Sequence, residues 1–157
     1  MLSMLLVLCL AACKDVSSYA TSNDHYQGSV VPAGFVRAGI DDDVQICLTL
    51  DTNHLQESPG TITASDGRFS STPLRPIPQV WHDALSTLSF GDGRVQNLMY
   101  AAAEPAGDDL VIISLLNGGG VEVRLLRGAP GAPSDAGSAT NLFAIFQLDR
   151  ASGPCPL

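Results

Sequence analysis

The chain has 157 residues, a formal net charge of −8 and a sequence pI near 4.5. That is one domain's worth of chain, and so acidic a balance argues against nucleic acid, whose phosphates are bound by Lys and Arg patches. Fifteen Gly, ten Pro and an aromatic content of 6% describe a chain of strands and turns rather than of long helices.

In chain order, the first feature is an apolar run from Met1 to Leu10, closed by Ala11-Ala12 and followed by Cys13. An apolar core of this length ending in small residues is the form of a secretory signal, and it is far short of the ~20 residues a membrane-spanning helix needs. No Lys or Arg precedes it, which departs from the usual positive start. Leu10-Ala11-Ala12-Cys13 resembles the lipobox of bacterial lipoproteins. The resemblance implies cleavage before Cys13, acylation of the Cys13 thiol, and a mature protein anchored in the cell envelope. Lys14, rather than Asp, follows the cysteine, and by the same resemblance this points to the outer membrane, with the domain facing the periplasm. The expected organisation is a signal peptide over 1–12, a lipidated Cys13 with a flexible polar tether over 13–25, and a single β-rich domain over 26–157.

Ser29-Val30-Val31 and Phe35-Val36-Arg37 are short β-type runs separated by Pro32-Ala33-Gly34. Asp41-Asp42-Asp43 forms an acidic turn. Its spacing matches no calcium loop, so a solvated turn or a partner contact is expected rather than a metal site. The stretch from Val44 to Leu50 alternates: Val44, Ile46, Leu48 and Leu50 share one face and Cys47 lies on the other. If the envelope assignment holds, Cys9 is removed and Cys13 acylated, leaving Cys47 and Cys155 in an oxidising compartment. A disulfide from the polar face of this strand to a C-terminal tail crossing the outside is the expectation. Two unpaired thiols are the alternative.

Thr61 to Ala64 is a short strand, and Asp66-Gly67 signals a tight hairpin turn with a return over Phe69 to Thr72. Thr72 to Trp81 holds three prolines, which block a helix and interrupt a ladder. The segment is expected to be a crossover between sheets, and it offers Arg75 and Trp81 as interface anchors. His82-Asp83 brings together a possible base and its orienting acid, but no Gly-x-Ser-x-Gly elbow or other nucleophile site accompanies it. His25, His54 and His82 lack zinc-type spacing. Asp92-Gly93 marks another turn before a strand over Val95 to Ala102, with Met99 and Tyr100 on opposite faces.

The strongest hairpin lies further on. Leu110 to Leu116 is apolar on both faces, Asn117-Gly118-Gly119-Gly120 turns the chain, and Val121 to Leu125 alternates with Glu122 and Arg124 outward. Gly128 to Asn141 is low in complexity. Leu142 to Leu148 supplies a last strand before the tail with Cys155.

Roughly eight to ten short strands with tight turns predict an all-β fold, an antiparallel β-sandwich or alternatively a small β-barrel. Three functions are compatible. The first is a non-enzymatic lipoprotein binding an envelope protein or surface component, without cofactor, metal or nucleic acid. The second is a periplasmic inhibitor or immunity lipoprotein neutralising a toxic hydrolase. The third is an anchoring lipoprotein of a secretion machine. The candidate contact residues are Arg75, Trp81, Asp41, Asp42 and Asp43.

Overall fold

A computed structural model of the chain describes residues 16–31, 40–77, 94–104, 107–127 and 141–157. Cys13 and the apolar run before it, Trp81, His82-Asp83, Asp92-Gly93 and residues 128–140 of the low-complexity stretch lie outside them. Among the described residues, a four-residue 3-10 turn (Val16–Tyr19) precedes nine strands: β1 (Asp24–Ser29), β2 (Gln45–Leu48), β3 (Thr61–Ala64), β4 (Thr72–Pro73), β5 (Arg75–Pro76), β6 (Arg94–Glu104), β7 (Gly107–Leu116), β8 (Val121–Arg127) and β9 (Asn141–Ser152).

The strands form one antiparallel sheet in the order β4-β3-β2-β1-β9-β8-β7-β6-β5. Each strand pairs with its neighbour in sequence except β4 with β5, and the first pairs with the last through Asp24↔Ser152 to Gln27↔Asp149. The two edges of this order, β4 and β5, are parts of one segment joined at Leu74. Thr72 and Pro73 pair with Ile62 and Thr61, while Arg75 and Pro76 pair with Ala101 and Tyr100. The sheet therefore curls into a nearly closed up-and-down barrel. All-β is as expected, but the architecture is the barrel alternative and not a sandwich. The cause is the Pro-rich segment. It was expected to cross between two sheets, and instead it stitches the two edges of one. Pro73 and Pro76 each remove a donor, so each flank pairs over only two residues, and Leu74 N donates to Gly60 O at 2.9 Å.

The period-2 patterns become the inside and outside of the barrel. Val44, Ile46, Leu48 and Leu50 all enter the core, as do Val111, Ile113 and Leu115 from β7 and Val121, Val123 and Leu125 from β8. Tyr26, Ile62 and Phe146 are at most 1% exposed, each burial contributing about 1.5–3 kcal/mol. On the opposite face Met99 and Ile112 are also buried, which explains why β7 reads as apolar on both sides.

Two glycines are dictated by geometry. A Cβ on Gly28 would stand 1.9 Å from Gln147 O, where β1 passes tightly over β9. Gly67, with φ of 78°, turns the β3–β4 hairpin at Asp66-Gly67 as the sequence predicts, and Gly67 N donates to Ala64 O at 3.1 Å.

The barrel has two ends. The near end holds the start of β1, the β2–β3 connection, the β7–β8 turn and the end of β9. The far end holds the acidic turn between β1 and β2, the Asp66-Gly67 hairpin and the junction of β6 with β7. The fold begins earlier than expected. Residues 16–25, read as part of a tether, are built into the near end: Tyr19 is 1% exposed and belongs to the core, and Asp24 already opens β1. The sequence of small polar residues hid this, because one buried aromatic ring is enough to dock a short turn.

Candidate functional site

The expected disulfide is formed. Cys47, on the outer face of β2 and 1% exposed, is bonded to Cys155 in the tail, with Cα atoms 6.0 Å apart and a sequence separation of 108. β1 lies between β2 and β9 in the sheet, so the tail must pass over β1 to reach Cys47. The strap is held at other points too. Gly153 N donates to Asn23 O at 3.1 Å, and His25 Nδ1 donates to Gly153 O at 2.8 Å. Outside the barrel a polar row continues from there. His25 Nε2 lies 3.2 Å from the Gln27 side-chain amide, and Gln27 Nε2 donates to Gln45 Oε1 at 3.1 Å. His25, 3% exposed, is thus occupied structurally.

The near end is closed by residues 16–21. Tyr19 Oη donates to Leu116 O at 2.5 Å, and Tyr26 Oη donates to Tyr19 O at 3.3 Å. Burial pushes the Tyr26 phenol up, opposed by the positive charge of Arg150. Thr21 docks on Leu50 by three bonds: its N and Oγ1 donate to Leu50 O at 2.9 and 3.2 Å, and its Oγ1 accepts from Leu50 N at 2.7 Å. Arg150 of β9 clamps the same segment. Its Nε donates to Asp24 Oδ2 at 2.9 Å, Nη1 to Ser18 O at 3.1 Å and Nη2 to Ala20 O at 2.9 Å. This planar five-donor head suits two carbonyls and a carboxylate at once. Sequence reasoning missed Arg150, since its partners lie 126–132 residues away.

The β2–β3 connection carries an exposed pair at the same end. His54 Nδ1 and Asp51 Oδ2 are 2.8 Å apart. The hydrogen bond raises His54 above its ordinary value and holds Asp51 below its own. Nearby, Leu55, Gln56, Pro76, Ile77, Gln96 and Tyr100 line a small pocket of about 70 Å³, well below the ~300–1,000 Å³ of a site for a drug-sized ligand. Burial holds the Tyr100 hydroxyl far above the ordinary tyrosine range.

Of the expected contact residues, Trp81 lies outside the described residues, and the others sit on two different elements. Asp41, Asp42 and Asp43 are exposed in the turn at the far end, where Val44 N donates to Asp41 O at 3.3 Å. Arg75 is exposed on the closing segment, in register with Ala101. Because the strands run up and down, consecutive connections alternate between ends, and the acidic turn and the β2–β3 connection with His54 fall on opposite ones. No group of three or more His, Cys, Asp or Glu among the described residues is placed to hold a metal ion, and no helix among them is long and apolar enough to cross a membrane.

Comparison with protein-family models, with curated proteins and with solved structures returned no match.

Proposed function

We propose that this chain is a non-enzymatic lipoprotein of the bacterial cell envelope. It is anchored in the outer membrane by acyl chains on Cys13, and its barrel offers an outer surface to another envelope protein or surface component. The observation that carries the reading is the sequence Leu10-Ala11-Ala12-Cys13 at the end of an apolar run. Two further features support it. A disulfide between Cys47 and Cys155 suits an oxidising compartment. The inward side chains of the described strands form one buried apolar core, and the polar groups for a partner to meet lie on the surface and loops.

Intact mass of the protein extracted from bacterial membranes tests the anchor. The expected species begins at Cys13 and carries the mass of acyl chains; an unmodified chain beginning at Met1 overturns it. The partner is tested by capture from envelope extract with the disulfide-closed domain at low and high salt. A single partner retained at high salt is expected. Partners lost together at high salt would reduce the interaction to attraction by the −8 charge.

A further inference from the structure

We propose that the protein stands on the membrane by the near end of its barrel, with the far end, which carries Asp41 to Asp43 and the Asp66-Gly67 hairpin, directed away from the lipid. The inference rests on the acylation of Cys13 argued above and adds an orientation to it.

The reason is reach. Three peptide units separate the Cα atoms of Cys13 and Val16, so the two lie within about 11 Å whatever conformation joins them. Val16 is not on a free end. It packs against the core, and its turn is pinned by the Tyr19–Leu116 hydrogen bond and by the grip of Arg150 on the Ser18 and Ala20 carbonyls. Strands of the length of β7, tilted as barrel strands are, give a wall roughly 25 Å high. The far end is therefore out of reach of the anchor, whereas the near end cannot leave it. A flexible tether of ten residues would have had a reach of roughly 16–19 Å and would have left the orientation open.

The chemistry of the two ends agrees with this. The near end displays the amides of Asn23, Asn53 and Gln56 beside the exposed Glu57, and two of its other acids have partners: Asp24 is paired with Arg150, and Asp51 shares a hydrogen bond with His54. The far end displays Asp41, Asp42 and Asp43 in succession, carboxylates that the negative potential of an anionic lipid surface repels. Contact at the near end is imposed by the covalent link and requires no attraction between the acidic protein and the membrane.

The test uses the full acylated protein in phosphatidylcholine vesicles doped with a nitroxide-headgroup lipid. A fluorophore is placed on an added thiol at exposed Asn53 (Asn53→Cys, near end) or exposed Ser70 (Ser70→Cys, far end), with the Cys47–Cys155 bond closed. The expected result is quenching several-fold stronger at position 53 than at 70. Inserting ten Gly and Ser residues between Asp15 and Val16 should abolish the difference. Equal quenching at both positions of an acylated, vesicle-bound protein, stronger quenching at 70, or a difference that survives the insertion overturns the orientation alone. A chain without acyl mass overturns the anchor and the orientation together.

Discussion

The Tyr19 hydroxyl donates to the Leu116 carbonyl oxygen at 2.5 Å, across 97 residues of chain, and so ties the N-terminal turn to the β7–β8 hairpin. Tyr19→Phe keeps the ring in the core and deletes only the donor. The Leu116 carbonyl keeps the bond it accepts from Gly119 N at 2.9 Å, so the loss is one part-buried hydrogen bond, about 0.5–1.5 kcal/mol. Tyr19→Ala adds a cavity, and the total should reach about 3–5 kcal/mol. Urea unfolding of the two variants checks this. Equal, near-zero losses would show that the turn contributes nothing to the barrel.

Opening the Cys47–Cys155 bond releases the tail from β2. With the two cysteines separated by 108 positions in sequence, the chain-entropy model gives a loss of up to about 4–5 kcal/mol. The double variant Cys47→Ala/Cys155→Ala should unfold at markedly lower temperature than the oxidised parent. Reduced parent and double variant should nearly coincide. A melting temperature unchanged by reduction would mean that the strap is held without the bond.

Gly28 has no space for a side chain. Its Cβ would meet the Gln147 carbonyl, which is backbone and cannot rotate away. Gly28→Ala should therefore force β1 and β9 apart and cost about 2–3 kcal/mol or more. Hydrogen exchange checks where the damage falls. The amides of the β1–β9 ladder should lose protection before those of β7 and β8.

The Asp51–His54 pair predicts a pH dependence with a definite sign. His54 binds its proton more tightly when folded, so its contribution is present below the ordinary histidine value of 6.5 and is lost as pH rises through the raised folded value. Asp51 is held below 3.8, so its contribution is present above that value and is lost as pH falls through the lowered one. The stability difference between the parent and Asp51→Asn should be largest between these limits and should shrink above neutrality. It should also be small, because both side chains are exposed. An NMR titration gives the direct readout: the His54 midpoint should fall to the ordinary value in Asp51→Asn.

Much of the fold is legible in the local pattern. The alternation of Val44 to Leu50 placed Cys47 outside and its neighbours inside, and the structure agrees at every one of these positions. The Asn117-Gly118-Gly119-Gly120 turn and the Asp66-Gly67 hairpin lie where their residue types demand them. The architecture was less legible. Thr72 to Pro76 reads as an interruption, since proline weakens any ladder it joins. Whether such a segment crosses between two sheets or closes one depends on what stands on either side: Thr61-Ile62 is the local hairpin partner, but Tyr100-Ala101 is remote in sequence.

The candidate site divides in the same way. The sequence by itself determined the strand periodicity, the tight turns and a cysteine placed to receive a bridge, because side-chain alternation and turn conformations are set by adjacent residues. Only the tertiary structure decided that the sheet closes on itself, that Tyr19 and Arg150 draw residues 16–24 into the near end, and that the acidic turn and the Asp51–His54 pair occupy opposite ends. Each of these depends on groups brought together across long stretches of chain, and local preferences carry no record of which distant partner will satisfy a buried hydroxyl, a guanidinium or a strand edge.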